Sequence, residues 1–540
     1  MKKTKGASDN TASISFSPEQ LVIEEWVKNG EGNAMIEAVA GSGKTFTLTN
    51  VISPHINKKS VFCAFNTHVA EEIRKKNKNT NINVSTIHGL GFAGIKRSFP
   101  GAELDSGVQK KKYAEKIREL YSEAITYSMI NGNKIQNINV NEITSKYYSI
   151  PVYDIEEVFK MARINLCSAQ NGSHSIPGIT EDIVNKYGYQ FEECLFPVID
   201  VMIPALMEWG AEEAARIIDY TDMIWLPYYL RDTINLFKYE WVLVDEAQDL
   251  SKAQKEIVLA SVTENGRVVA VGDPNQAIYS FAGADYNSFL DLKKTLSAKS
   301  LPLATCYRCP KNHIDLAKTI VPHITAFKQN KGEISIVEFE DMHHYVKEDD
   351  LIISRITSPL ISLCYFLIAN KIKATVRGKD IGVGLKSFLF KLKLPKTFDK
   401  AIFTQKLNSY YGKEKANLLK NDMENMADIL DEKVNCVRII FDNAQSPITT
   451  IKDFEKEVDS IFNDNIKGVV LSTVHKAKGL EADNVYILNE NMMPYYRAVT
   501  EEDYRQELNL RYVALTRAKE NLYFTYSSKN TKRINLDRYQ

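Results

Sequence analysis

Apolar residues along this chain gather into short runs of strand length, separated by stretches in which they recur at helical spacing. The runs Ala34 to Val39, Ser60 to Phe65, Trp241 to Val244 and Arg267 to Val271 form one set, and the segments between them read as helices. A second set spans about 310 to 375 and resumes at 466, with Asp350 to Ser354, Gly468 to Ser472, Asn484 to Leu488 and Asn521 to Tyr526. Strand runs that alternate with helical patterns predict parallel α/β architecture. Residues 97–214, which include Lys110, Lys111 and Lys112, are helical in pattern and interrupt the first set, and the Lys-rich residues 380–460 interrupt the second. The expected organisation is a flexible tail over 1–15 and a first α/β core over 16–96 and 215–308, with insertion 97–214. A second core over 309–379 and 461–540 carries the shorter insertion 380–460.

Length supports this division, because 540 residues exceed what one hydrophobic core usually sustains. Composition narrows the class. Lys plus Arg and Asp plus Glu both number 68, so any nucleic-acid site must be a local groove and not a global basic field. Seven scattered cysteines suit free thiols in a reducing compartment. Cys306-x-x-Cys309 lacks a second Cys or His pair nearby, which argues against a zinc site. Met1 to Ser15 is polar with no apolar signal region, and the longest oily stretch, Leu360 to Ala369, is too short to span a bilayer. The expectation is a cytoplasmic protein without membrane contact.

Candidate chemistry begins where the first strand run ends. Ala38-Val39-Ala40-Gly41-Ser42-Gly43-Lys44-Thr45 passes from a strand into a helical segment. Backbone N–H groups of Ala40, Gly41, Ser42 and Gly43 at a helix N-terminus can cradle phosphates, Lys44 can reach the β/γ-phosphates of ATP, and Thr45 can hold Mg²⁺. Ala38 stands where the general pattern has glycine. Two hundred residues on, Trp241 to Val244 runs into Asp245-Glu246-Ala247-Gln248-Asp249. Phosphoryl transfer needs this division of labour, with Asp245 holding Mg²⁺ and Glu246 orienting and deprotonating the attacking water. A third strand, Val269 to Val271, opens into Gly272-Asp273-Pro274-Asn275-Gln276-Ala277-Ile278-Tyr279-Ser280-Phe281-Ala282-Gly283.

Together with Tyr307-Arg308, Leu471-Ser472-Thr473-Val474-His475-Lys476-Ala477-Lys478-Gly479-Leu480-Glu481 and Tyr512-Val513-Ala514-Leu515-Thr516-Arg517-Ala518, these segments resemble, in order, the motifs of UvrD/Rep-type superfamily 1 helicases. The resemblance spans residues 16 to 520 and implies two RecA-like parallel-sheet P-loop domains, each with a helical insertion. It also implies site roles. Gln20 would read adenine and Tyr307 stack on it, Gln276 would sense the γ-phosphate, and Arg308 and Arg517 would approach that phosphate from across a cleft, with Glu481 at the ribose or the γ-phosphate network. Such arginines neutralise charge on the transferring group and contribute on the order of 10³ to 10⁵ in rate in related NTPases. Phe65, Asn66, Thr86, His88, Tyr279 and Phe281 resemble the single-strand contacts of the first core, and Thr473 and His475 those of the second. Stacked aromatics with small polar groups suit sequence-tolerant strand binding.

The chain departs from the family pattern where Phe281-Ala282-Gly283 replaces a common Trp-Arg-Gly, and where Gln506-Glu507-Leu508-Asn509-Leu510 lacks paired arginines. The resemblance implies an ATP-dependent DNA helicase with 3′ to 5′ polarity that acts on single strands and single/double-strand junctions. It would be a monomer when free, with replication or repair proteins as partners. A translocase that strips proteins from single strands while unwinding weakly, and a nucleotide-switched binding protein, stay open beside it.

Overall fold

The computed structural model describes residues 15–105, 112–121, 152–167, 178–187, 195–279, 283, 287–420, 424–462 and 467–526. Its first helix, Pro18–Asn29, starts where Ser17 and Gln20 form a reciprocal capping box with Pro18 in the first turn. Eight strands follow in the first half: β1 Ala34–Ala38, β2 Ser60–Ala64, β3 Ile82–Thr86, β4 Glu103–Leu104, β5 Ile217–Ile218, β6 Tyr239–Val244, β7 Val262–Gly272 and β8 Lys299–Leu303. Six of them form one parallel sheet in the order β3-β2-β6-β7-β1-β8. Side chains alternate across it. Phe62 and Ala64 of β2 enter one apolar layer, with Ile36 and Leu243, and Val61 and Cys63 enter the opposite layer, with Met35 and Val242.

In the second half, β9 Thr305–Cys306 and β10 Thr325–Ala326 pair as a short ladder. The strands β11 Glu333–Ile336, β12 Leu351–Ser354, β13 Ala374–Val376, β14 Val469–Thr473, β15 Ala482–Leu488 and β16 Ala518–Thr525 form a second parallel sheet. Its order is β11-β16-β15-β12-β14-β13. The molecule is therefore α/β with two parallel sheets.

Each sheet is interrupted by helices. Between β3 and β6 lie Val152–Ile164, Ile179–Tyr187 and Phe196–Glu212, above a base closed by the β4–β5 ladder. Their core contains a buried charge cluster: Asp222 accepts from Lys112 at 2.8 Å, Tyr113 at 2.9 Å and Arg163 at 2.7 Å. Between β13 and β14 lie Lys379–Lys391, Lys400–Lys420, Glu424–Asn443 and Ile451–Ile461. Among the described residues, no helix is long and apolar enough to cross a membrane.

Candidate active site between the two sheets

Parallel strands gather functional groups at their C-terminal ends, and here β1, β2, β3, β6 and β7 all open toward one edge. Past β1 the chain turns through Val39 to Gly43 into the helix that starts at Lys44. Gly41 takes φ +67°, and a Cβ there would stand 2.7 Å from Arg308 Cβ and 2.9 Å from Cys306 Sγ, so this turn requires glycine.

Past β6, Asp245 Oδ2 accepts from Thr45 Oγ1 at 2.7 Å, and Glu246 Oε2 lies 3.3 Å from Lys44 Nζ. Glu246 has a left-handed backbone, φ +52°, an uncommon conformation away from glycine. Gln248 steadies it by donating from Nε2 to Glu246 Oε2 at 2.6 Å while accepting from the Asp273 N–H at 3.0 Å. Burial opposes every charge in this cluster. For Lys44 it is outweighed by Glu246, Asp273 and Asp245, which raise the ammonium pKa. For Glu246 it is outweighed by Lys44 and Lys478, which hold the carboxyl down, whereas burial and the Glu246 charge push Asp245 up. The arrangement favours an ionised Glu246 beside a protonated Lys44.

The second half of the chain faces this cluster with cations. Arg308, just past β9, donates from Nε to Glu481 Oε2 at 2.6 Å and from Nη1 to the Thr516 carbonyl at 3.1 Å. Arg517, just past the helix Glu501–Leu515, is buried and donates from Nη2 to Gln276 Oε1 at 3.4 Å. Burial, then the Arg308 charge, lowers its pKa to about 10, which leaves it protonated at neutral pH. Gln276 in turn donates to Asp273 Oδ2 at 2.7 Å. Lys478, past β14, places Nζ 2.6 Å from both Asp249 Oδ2 and the Gln276 carbonyl, and 5.0 Å above the Tyr279 ring.

These groups line one cleft of about 530 Å³, which takes in Gly41 to Thr45, Asp245, Glu246, Asp249, Gln276, Arg308, Lys478 and Arg517, with Phe65, Asn66 and Tyr279 at its side. Among the candidates for nucleotide contact, Gln20, Ala40, Tyr307 and Glu481 do not line it, and neither do the strand-contact candidates Thr86, His88, Thr473 and His475. The Gln20 amide accepts from Ser17 N at 3.0 Å and donates to Thr47 Oγ1 at 3.3 Å. The Ala40 N–H donates to the Tyr512 hydroxyl at 2.8 Å. Tyr307 packs on Phe327 with ring centroids 4.7 Å apart, and Glu481 holds Arg308 and also Lys519, at 3.0 Å.

Of the strand-contact candidates, Phe65 is half-exposed and stacks on Tyr279 at 6.1 Å, and the Tyr279 hydroxyl donates to the His475 carbonyl at 3.0 Å. The two sheets thus meet at this aromatic pair as well as at the arginines. Asn66 and Thr86 accept from Val69 N at 2.9 Å and Gly89 N at 3.0 Å, capping the helices that follow β2 and β3. Burial lowers the His88 pKa. Burial, then Arg355 and Lys476, pushes His475 down to about 3, and Thr473 is buried beside it. Phe281 lies outside the described residues.

A hydroxyl and a carboxylate oxygen, Thr45 and Asp245, are the hard donors Mg²⁺ prefers, and the buried Ser42 Oγ beside them has no hydrogen-bond partner. Among the described residues no group of three or more His, Cys, Asp or Glu side chains could hold a metal alone. Thr45 and Asp245 are the residues here that would hold such an ion. Sequence reasoning assigned nothing to Gln248, Asp249, Lys478, Asn509 or Tyr512, although all five stand inside the motifs it singled out. What it lacked was the partner of each, since Lys478 meets Asp249 across 229 positions of chain.

A glycine phosphate loop with paired acids on one parallel sheet, facing Arg308 just past the β9–β10 ladder and Arg517 beside the second parallel sheet, defines a P-loop protein whose candidate phosphate site lies between two α/β units. Residues 22–297 match the UvrD/REP helicase N-terminal domain, and residues 404–529 match the UvrD-like helicase C-terminal domain. The chain belongs to the UvrD/REP helicase family, and its two sheets are the RecA-like domains of that family. It is 23% identical to F-box DNA helicase protein 1 of Schizosaccharomyces pombe, with 94% of this chain and 57% of that protein aligned. It is also 23% identical to ATP-dependent DNA helicase PcrA of Staphylococcus epidermidis, over 93% of this chain and 82% of the relative. ATP-dependent DNA helicase Rep of Buchnera aphidicola is likewise 23% identical, over 93% of each chain. The chain thus spans little more than half the length of the fission-yeast protein.

Proposed function

We propose that this protein is an ATP-dependent DNA helicase that moves 3′ to 5′ on single-stranded DNA and couples hydrolysis to duplex unwinding. The observation that carries the reading is one cleft in which Lys44 and Glu246 of the first unit meet Arg308, at the exit from that unit, and Arg517 of the second, with the Phe65–Tyr279 ring pair at its side. In this reading Gly41 to Gly43 cradle the phosphates while the Ala40 N–H stays on the Tyr512 hydroxyl behind them, Lys44 neutralises the β/γ-oxygens, and Thr45 and Asp245 would hold Mg²⁺. The ion supplies positive charge that draws electron density from the phosphates when bound. Glu246, kept ionised, takes a proton from water as the water oxygen bonds to the γ-phosphorus and the bond to the β,γ-bridging oxygen breaks. Gln276, Arg308 and Arg517 stabilise charge on the transferring group. Tyr307 and Gln20 recognise the base, which requires the Gln20 amide to leave its cap, and Glu481 acts by holding Arg308.

Strand binding falls to Phe65, Asn66, Thr86, His88, Tyr279, Phe281, Thr473 and His475. Stacking contributes about 1 to 3 kcal/mol per base, comparable with the ~1.4 kcal/mol mean cost of opening a base-pair step. Tyr279 touches both the first-unit ring Phe65 and the second-unit His475 backbone, so closing the cleft and gripping a strand are one movement. A second reading, a translocase with weak unwinding, draws on Phe281-Ala282-Gly283, which offers a smaller platform than Trp-Arg-Gly and no arginine. Duplexes with 3′, 5′ or no single-stranded tails, assayed beside DNA-stimulated ATPase, decide between them. Displacement confined to 3′-tailed duplexes is expected. Stimulated hydrolysis without displacement would favour the translocase, and no stimulation by single strands would end the motor reading. Glu246→Gln should lower kcat by about 10²-fold or more while ATP still binds.

A further inference from the structure

The helix Glu501–Leu515 reaches the first unit at two points before it delivers Arg517. Asn509, almost wholly buried, donates from Nδ2 to the Ala277 carbonyl at 3.1 Å and the Pro274 carbonyl at 3.4 Å, the two ends of the loop that carries Gln276. One turn later Tyr512, fully buried, accepts from the Ala40 N–H of the phosphate loop at 2.8 Å. Positions three apart share one helical face and are fixed roughly 4.5 Å apart along the axis. The helix is therefore a rigid spacer between the phosphate loop and the Gln276 loop. Beyond it, Arg517 reaches Gln276 Oε1 at 3.4 Å. Neither Asn509 nor Tyr512 lines the cleft, so both act through the groups they hold.

We propose that Asn509 and Tyr512 are positioning residues for phosphoryl transfer, keeping the phosphate loop and the Gln276 loop in register with Arg517. The proposal rests on reading the cleft as an ATPase site. It also gives a role to Asn509, which stands in the stretch where the family's paired arginines are missing. Without the Asn509 amide, the Pro274 and Ala277 carbonyls lose a buried donor and the Gln276 loop is free to drift. Without the Tyr512 hydroxyl, the Ala40 N–H loses its acceptor while the ring still fills its place. Displacements near 1 Å around a reacting centre cost about 10²-fold in rate, so small slippage here suffices.

The test compares the full-length chain with Asn509→Leu, Tyr512→Phe and the double variant. Four readouts serve: DNA-stimulated kcat, KM for ATP, affinity for a fluorescent ATP analogue, and thermal midpoint. Each single variant is expected to lose about tenfold or more in kcat, with KM and analogue affinity held within about threefold. The double variant should fall no further than the worse single one, because both changes loosen one spacer. Tyr512→Phe, which adds no bulk and opens no cavity, keeps the test informative if Asn509→Leu folds poorly. Variants with kcat near the unmodified value overturn the proposal and leave the ATPase reading intact. So does a kcat loss matched by lost nucleotide affinity or a lowered midpoint, which would mark a purely structural role. An unmodified chain that hydrolyses no ATP with single-stranded DNA present overturns both.

Discussion

The helices inserted into the first sheet gather around a core of their own, where Ile155, Val158, Phe159, Ile199, Ile203 and Leu206 pack with the flanking Ile218 and Trp225. Those inserted into the second sheet have no such separation: Leu389, Phe403, Val437 and Phe454 lie in the same apolar cluster as Ile352 of β12, Val469 and Leu471 of β14 and Leu488 of β15. The polar fastenings differ too. In the first insertion Lys112 pairs, wholly buried, with Asp222 of the helix by which the chain re-enters the first unit, whereas in the second Glu432 leaves its own helix to accept from Thr357 N at 2.7 Å and Ser358 N at 2.6 Å. That carboxylate caps the helix that follows β12, at the end where the helix dipole favours negative charge. A segment with a private core can open by itself, and one that shares a core cannot open without loosening the strands beneath it.

The comparison breaks most sharply at Asp222. Asp222→Ala leaves the Lys112 ammonium buried without a counter-charge, held by the Gly210 carbonyl and the Tyr113 and Trp209 rings, and should cost about 3 to 5 kcal/mol in denaturant unfolding. Hydrogen exchange should rise in Val152–Ile164 and Phe196–Glu212 while β1 and β6 stay protected; faster exchange in those strands would show that the first insertion is not separable. Next comes Leu389→Ala in the second insertion, a cavity costing about 3 kcal/mol. Here exchange should accelerate in β12 and β14 as well as in Lys379–Lys391, and loss confined to the helices would contradict the shared core. The smallest change is Glu432→Gln, expected to cost about 1 kcal/mol through weaker capping of Ser358–Ala369. That difference should appear in exchange at the first turn of the capped helix.

Legibility followed burial. The apolar runs read from sequence correspond to β1, β2, β6, β7, β12, β14, β15 and β16, which are the interior strands of the two sheets. The edge strands β3, β8, β11 and β13 gave no such run. β8 shows why: it is Lys-Ser-Leu-Pro-Leu, covered on one side only, and it tolerates a proline that an interior strand could not. Within the site, residues whose chemistry resides in their own side chain, such as Lys44, Asp245 and Glu246, were readable one by one. Asn509 and Tyr512 were not, because an amide and a phenol carry no signature until the loops they hold come within reach, 232 and 472 positions away.

Gly41 has a consequence for how this protein can be recombined with others. Its missing side chain leaves just the room that Arg308 Cβ and Cys306 Sγ occupy, and its carbonyl accepts from Tyr307 N at 2.9 Å. The phosphate loop and the Tyr307-Arg308 segment are therefore a fitted pair contributed by opposite ends of the first sheet and its exit. A chimera that joins one half of this chain to the other half of a relative 23% identical inherits only one side of that fit. Exchange boundaries that keep residues 39–43 with 305–309 preserve the contact, and those that part them require it to be rebuilt.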